Sequence, residues 1–164
     1  MSKATFTTNA DEVYNAFLSF STKEMKSALK SGLRKALVKV RNEARKNLKS
    51  DYPNAAKNNS GKWDNSLVND IRLPKKWCYE DNGVISGIVR ADSKRTKGSG
   101  SFRLKFFEIG TIVRKTRKGY NRGSIKASQF LQRAKISSEG YFNSTMKEAF
   151  SKAVMRINNK KWKK

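Results

Sequence analysis

The chain contains no histidine and a single cysteine, Cys78, among its 164 residues. Histidine is the commonest general base and the commonest metal ligand, so its absence counts against acid–base catalysis and against a metal centre. One cysteine can form neither an internal disulfide nor a thiolate metal cluster within one chain. We therefore expect no cofactor, no metal site and no catalytic residue, and a structural role for the Cys78 thiol.

Long apolar runs are also missing. No stretch approaches the roughly 20 apolar residues that a membrane-spanning helix requires, and the N-terminal residues lack the apolar segment of a signal peptide. The basic helix predicted below has no Trp or Phe on its apolar face to anchor it in a membrane interface. The sequence predicts a soluble protein that is made inside the cell and does not bind membranes.

Acidic residues are scarce, with Asp+Glu 13 against Lys+Arg 37 and a formal net charge of +24. A compact monomer with this charge repels itself, and such an excess usually faces a polyanion. Nucleic acid, an anionic membrane and an acidic protein are the candidates, and composition does not separate them. A basic surface that is merely solvated is the alternative.

The helical periodicity is strongest between Ser21 and Pro53. Ser21 and Glu24 have the spacing of a capping box, and proline disfavours helix at the residue before it. One face of this long helix is apolar at steps of three and four residues, and Lys and Arg occupy the other. Its predicted core residues are Met25, Leu29, Leu33, Ala36, Leu37, Val40, Ala44 and Leu48.

The remaining elements are shorter. We expect a β segment at 4–8, a short helix after Asn9, and a helical turn that leads into a strand within 62–73. Asp81-Asn82-Gly83 is a strong hairpin signal between two strands. The polar, glycine-rich stretch 92–101 predicts a loop, and 102–110 a further strand. Two helices then close the chain, near 128–134 and 139–158.

This order predicts an α+β fold, with a long N-terminal amphipathic helix and a C-terminal helix packed on an antiparallel β-sheet. The length suits one domain. We assign residues 1–158 to it and treat 159–164 as a basic C-terminal tail.

The strand predicted at 102–110 places Glu108 near its end, directly before a basic loop. A catalytic carboxylate, a nucleic-acid-binding loop and a subunit-assembly element would all look like this locally. Catalysis is disfavoured because the acids are scattered and no histidine accompanies them. We expect Glu108 to be structural, capping a turn or forming an ion pair, and the protein not to be an enzyme.

The basic loop carries five cations between residues 114 and 122, namely Arg114, Lys115, Arg117, Lys118 and Arg122. Lysine predominates over arginine in the whole chain, which suits non-specific attraction to phosphate better than base reading. No zinc-finger, helix-turn-helix or RNA-recognition signature is present. The sequence therefore predicts that this loop faces either DNA phosphates or an acidic partner.

Three short stretches carry a resemblance to a known family. Residues 60–67, SGKWDNSL, are similar to a TGxLxxSI motif; residues 108–111, EIGT, to EFGT; and residues 127–134, ASQFLQRA, to ARPFLxPA, with Gln129 and Arg133 in place of the prolines. With the order of elements, they resemble the tail-completion and head–tail-joining (neck) family of tailed bacteriophages over roughly 9–158. The matching residues, structural in that family, are Gly61, Ser66, Leu67, Glu108, Gly110, Thr111, Phe130 and Leu131.

The resemblance implies a structural virion protein that forms a ring in the neck and joins or completes the tail at the head–tail interface. Its implied partners are copies of itself, with sixfold symmetry favoured over twelvefold, neighbouring head-connector and tail-tube or tail-terminator proteins, and double-stranded DNA bound without sequence preference. The implied location is the virion, after synthesis in the bacterial cytoplasm. A nucleic-acid-binding protein outside the virion is the alternative.

Overall fold

The structure, a computed structural model, describes residues 3–6, 23–53, 66–81, 84–91 and 103–161. The predicted helix after Asn9 and the predicted loop at 92–101 lie outside these ranges. The helices are α1 (Lys23–Asp51), α2 (Ser66–Asn69), α3 (Leu104–Ile109) and α4 (Phe130–Lys161); the strands are β1 (Lys3–Phe6), β2 (Ile71–Arg72), β3 (Cys78–Asp81) and β4 (Val84–Ala91). This is the predicted α+β fold, with long helices and an antiparallel sheet.

Helix α1 confirms the long helix read from the periodicity. It ends at Asp51, two residues before Pro53. All eight predicted core residues of this helix are buried, and none is more than 5% exposed. The side chain of Arg45, nearer the C-terminal end, donates to the carbonyl oxygens of Ile71 at 3.0 Å and Asn69 at 3.2 Å. Helix α1 is thereby tied to α2 and β2 by polar contacts as well as by its apolar face.

Helix α4 corrects the prediction of two closing helices, because one helix of 32 residues replaces both and continues to Lys161. The predicted break lay at 135–138, around Ser137 and Ser138, but a serine inside a helix weakens it by less than about 1 kcal/mol. Ser138 is fully buried and continues the buried stripe of the helix. The stripe consists of Phe130, Ala134, Ser138, Phe142, Thr145 and Ala153. Because this core position holds a serine, the apolar pattern of the sequence did not indicate that the helix continues through it.

The two long helices make the most extensive contact between elements in the described part of the chain. Gly32 lies where they approach each other closely: a Cβ atom there would be 2.6 Å from the Cβ of Ala149. A side chain at position 32 would therefore force the helices apart. Met25, Leu29 and Ala153 form a second small apolar cluster towards one end of this contact.

The sheet is centred on β4. Arg90 of β4 pairs with Lys3 of β1 on one side and with Arg72 of β2 on the other, and Gly87 likewise pairs with both β1 and β3. Strands β2 and β3 therefore follow one another along the same edge of β4, and all pairs are antiparallel. The turn-to-strand prediction for 62–73 and the hairpin between β3 and β4 are confirmed.

The two faces of β4 differ. Gly87, Val89 and Ala91 are buried and face the helices, since a Cβ at Gly87 would lie 2.4 Å from Cδ1 of Leu37. The alternate residues, which include Arg90, belong to the opposite face. We call this second face the outer face of the sheet.

The strand predicted at 102–110 is wrong, because residues 104–109 form helix α3. The buried residues of this segment are Leu104, Phe107 and Glu108, at the helical spacing of three and four. Phe106 and Ile109 point away from the core and are exposed. The apolar residues at 104, 106, 107 and 109 are compatible with the helical period of 3.6 and with the strand period of 2. The burial of Leu104 and Phe107 against the core favours the helix.

Candidate functional site

Glu108 lies within α3 and not at a strand end, and its side chain is only 7% exposed. Its carboxylate accepts hydrogen bonds from the backbone N–H groups of Leu131 at 3.0 Å and Gln132 at 3.4 Å. Both donors belong to the first turn of α4, whose N–H groups have no partner within the helix. Glu108 therefore caps the N-terminus of α4 from a distant part of the chain.

The burial of Glu108 acts against its ionisation. Desolvation raises the pKa of the carboxyl above its ordinary value, and the hydrogen bonds from α4, together with the charge of Arg133, partly oppose that rise. The positive end of the helix dipole also favours the ionised form. The Glu108 carboxylate is thus bound by backbone N–H groups of α4 and stabilises the start of that helix. Among the described residues no His, Cys, Asp or Glu side chains cluster in a way that could hold a metal ion.

A polar cluster joins the C-terminal end of α1 to the start of α4. Asp51 accepts hydrogen bonds from the Ser128 hydroxyl and the Arg133 guanidinium, and Arg133 also donates to the Ser128 oxygen at 3.3 Å. Ser128 is itself buried. Asp51 is far in sequence from the other two residues, and Ser128 precedes α4 whereas Arg133 lies within it. No local sequence pattern therefore predicted this cluster.

Tyr52 adds a second link at the same place. Its hydroxyl donates to the backbone carbonyl oxygen of Lys126, and its ring packs on Phe107 with centroids 4.6 Å apart. Burial raises the pKa of Tyr52, and the nearby charge of Asp51 adds to the rise. The hydroxyl therefore stays protonated and able to donate at neutral pH.

Residues 111–125 leave this anchored region and return to it, and we call them the basic arm. At its base, the Thr111 N–H donates to the Ile125 carbonyl at 2.9 Å and the Ile125 N–H to the Thr111 hydroxyl at 2.9 Å. Farther out, the N–H groups of Arg114 and Arg122 donate to the carbonyls of Gly123 and Arg114. A turn around Gly119 closes the tip. The arm is a narrow antiparallel hairpin rather than an unpaired loop.

Gly110 sets the direction in which the basic arm leaves α3. Its φ is +75°, a conformation that glycine adopts readily and other residues do not. A Cβ atom at this position would lie 3.0 Å from both the Ala127 nitrogen and the Ile125 oxygen. Gly119 and Gly123, in the arm itself, also have positive φ angles, as turn positions require.

All five cations predicted to form the contact surface lie on the basic arm and are exposed: Arg114, Lys115, Arg117, Lys118 and Arg122. Large apolar side chains accompany them. Ile112 is 87% exposed, Tyr120 is 69% exposed and Val113 is 54% exposed. The arm therefore offers positive charge and apolar surface together, and none of these side chains serves the core.

The residues of the three short motifs do not converge on one site. Gly61 lies outside the described residues, and Ser66 begins α2, where Leu67 is buried. Phe130 and Leu131 are buried in the first turn of α4, and Thr111 lies at the base of the basic arm.

Gln129 has a φ of +52°, which a proline could not adopt because its ring fixes φ near about −65°. The start of α4 therefore differs from what the motif with proline would allow.

Comparison with protein-family models, curated proteins and solved structures gives no match. The likeness to neck proteins accordingly remains a hypothesis from short motifs.

Cys78 is half-buried, and burial raises the pKa of its thiol. A raised pKa lowers the fraction of thiolate at neutral pH and with it the nucleophilicity of the sulfur. The geometry is that expected of a structural cysteine.

No described helix is long and apolar enough to cross a membrane.

Proposed function

We propose that this chain is a non-enzymatic structural protein of a tailed-bacteriophage virion, forming a ring in the neck at the head–tail interface. The observation that carries the proposal is the basic arm, which is exposed at its tip and anchored at its base. A side chain such as Ile112, 87% exposed, is unfavourable in water unless another molecule covers it. An arm of this kind suits a protein that works by contact.

The anchoring of the basic arm supports a mechanical role. Its base is fixed by Gly110 and by the Thr111–Ile125 bonds, and the chain that follows is held by Tyr52. A contact made at the tip would therefore be transmitted to α1 and α4 rather than absorbed by a free loop.

In the proposed neck, the arm cations face the DNA in the channel. DNA has to slide there, so its contacts should be independent of sequence and individually weak. Exposed lysine and arginine side chains that approach phosphates supply such contacts. The same cations could instead meet an acidic patch on an adjoining ring, where the exposed apolar residues of the arm would be covered as well.

The use of Glu108 supports the absence of an enzymatic activity. The carboxylate that most resembled a catalytic acid in the sequence is occupied by two N–H groups of α4. We expect no substrate turnover, and therefore none that Glu108→Gln would remove.

The deciding experiment is mass spectrometry of purified phage particles together with a map of the neck. We expect the chain in the particle, at the head–tail interface, as a closed ring that native mass spectrometry counts at six copies in preference to twelve. A particle without the chain would reject the virion role and favour the second candidate, a non-specific DNA- or RNA-binding protein, which the same exposed cations support. A map that places the basic arm on the outer surface, away from channel and neighbours, would contradict both contacts proposed for it.

A further inference from the structure

The two faces of the basic arm carry different residues. The N–H of Arg122 donates to the Arg114 carbonyl at 2.7 Å, which places these two residues opposite each other. One step nearer the tip, the N–H of Thr116 donates to the Tyr120 carbonyl at 2.8 Å. Residues that are opposite in a hairpin, or two apart in one strand, share a face. Arg114, Arg122 and Tyr120 therefore lie on one face, which we call the arginine face, and Lys115 lies on the other.

The arginine face brings two like charges together without an acid. Both of its arginines are exposed, and within the described part of the chain neither guanidinium forms an ion pair. Like charges directly opposite each other destabilise a strand pair, and residues 111–125 contain no acid. Elsewhere in the fold, cations that come together share one: Lys26 and Lys30 both donate to Glu80, at 2.6 Å and 3.2 Å. Carboxylates supplied from outside would remove the repulsion.

Exposed apolar surface accompanies the arginine face. Tyr120 is 69% exposed, and Ile112, two residues before Arg114, is 87% exposed; the Cα atoms of Ile112 and Arg114 are at most about 7 Å apart. Electrostatic contacts to phosphates leave an aliphatic side chain in water, whereas a protein partner can bury it. Arginine and tyrosine are also enriched in protein interfaces, where lysine is depleted. These features favour a protein over nucleic acid as the partner of this face.

A second copy of the chain does not offer the surface that this face requires. The net charge of each copy is +24, so two copies repel each other. Five acids are moreover already bound within the fold: Glu43 by Lys39, Asp51 by Arg133, Glu80 by Lys26 and Lys30, Glu148 by Lys152, and Glu108 by N–H groups of α4. The partner of the arginine face is therefore a different protein.

We propose that the arginine face docks in an acidic cleft of a different protein, where two carboxylates pair with its arginines and an apolar pocket receives Ile112. A guanidinium presents its donors as a planar fork that matches a carboxylate. This inference rests on the proposed function, which makes the basic arm a contact surface, and it names the partner of one face. Lys115 on the opposite face, and Arg117 and Lys118 at the tip, are left for phosphates.

Site-specific photo-crosslinking of the full chain, in the cells that make it, tests this contact. A benzophenone amino acid replaces Tyr120, so that one aromatic ring takes the place of another. In the matched control it replaces Tyr141, an exposed tyrosine of α4. We expect position 120 to form an adduct with a different protein, in a segment that combines Asp or Glu with apolar residues. Sequencing of the crosslinked peptide identifies that segment, and position 141 should not form this adduct.

Variants of the crosslinking chain test the roles of the individual side chains. Ile112→Ser and Arg114→Gln should each lower the yield of the adduct about tenfold or more, because each removes one anchor of the contact. Ile136→Ser and Arg156→Gln change exposed residues of α4 and should leave the yield unchanged. All four side chains lie outside the core, so the circular dichroism spectrum should stay that of the wild type.

Several results would overturn the proposal. They are an adduct of position 120 with nucleic acid, with a second copy of the chain or with a segment that lacks acids, and a yield no higher than at position 141. An unchanged yield in Ile112→Ser or in Arg114→Gln would also reject the docking.

The neck role is decided separately from the docking. If the crosslinked partner and the chain are both absent from purified phage particles, the docking stands and the neck role fails. If the chain is present in the particle but position 120 crosslinks to nucleic acid, the neck role stands and the docking fails.

Discussion

Removing the Glu108 carboxylate should destabilise the fold by loosening the start of α4. In Glu108→Ala the N–H groups of Leu131 and Gln132 lose their acceptor in a place that water does not reach freely, because Glu108 is 7% exposed. Hydrogen bonds to a charged group contribute about 1.5–3 kcal/mol, and a lost helix cap costs about 0.5–2 kcal/mol. These overlap, so we expect a loss of about 2–3 kcal/mol in the free energy of unfolding.

Glu108→Gln should cost less, about 1 kcal/mol, since the amide oxygen can still accept one of the two hydrogen bonds. Urea denaturation with linear extrapolation measures both variants. Glu139→Ala is the matched control, because Glu139 is an exposed glutamate of α4 and surface substitutions usually change stability by less than about 0.5 kcal/mol. A Glu108→Ala variant as stable as the control would refute the capping role.

The pH dependence gives an independent check of the same contact. The pKa of Glu108 is raised by burial in the folded state, so the folded chain holds its proton more tightly than the unfolded chain. The stability that comes from this proton is present in full below the unfolded pKa and is lost as pH rises through the folded pKa. The wild type should therefore lose stability relative to Glu108→Gln across that window. A constant difference between the two would contradict the raised pKa.

Three further predictions concern the basic arm and its base. Gly110→Ala should destabilise the protein by more than about 1 kcal/mol because of the positive φ and the 3.0 Å approach to Ala127. The control Gly140→Ala, in open space within α4, should instead stabilise the protein by about 0.5–1 kcal/mol. Equal melting temperatures for the two variants would contradict the geometry of Gly110. Tyr52→Phe should cost about 0.5–1.5 kcal/mol by removing the bond to the Lys126 carbonyl, measured in urea, and an unchanged midpoint would mean that this link is not formed in solution. Replacing all five arm cations by Ser or Gln should leave the circular dichroism spectrum unchanged and flatten the salt dependence of DNA binding, by about 0.9 log units per lost contact; an unchanged slope would move the DNA contact off the arm.

The sequence predicted best what a regular period encodes. The eight predicted core residues of α1 recur at helical steps over nearly seven turns and all eight are buried, so their spacing identified one long helix. The hairpin between β3 and β4 followed from the conformational preference of Asn-Gly. Both are local signals, and neither needs knowledge of the tertiary contacts.

The errors arose where tertiary packing decides the outcome. The apolar residues around Phe107 suit a strand or a helix, and burial of Leu104 together with Glu108 selects the helix. In α4 the buried Ser138 interrupts the apolar pattern without interrupting the helix. For the candidate site, the sequence located the exposed cations of the arm but not the contact of Asp51 with Arg133 at its base, because a long-range ion pair leaves no periodic trace.

The packing of α1 on α4 has a consequence for how the chain is synthesised. The partner that makes the most extensive contact with α1 is α4, the last element described, so the part of the apolar stripe that faces α4 stays uncovered until residues 130–161 have left the ribosome. Contacts between such distant segments form late, and surfaces exposed in the meantime promote aggregation. A message cut short before α4, or a pause in translating it, should therefore release a chain that chaperones and proteases recognise as unfinished.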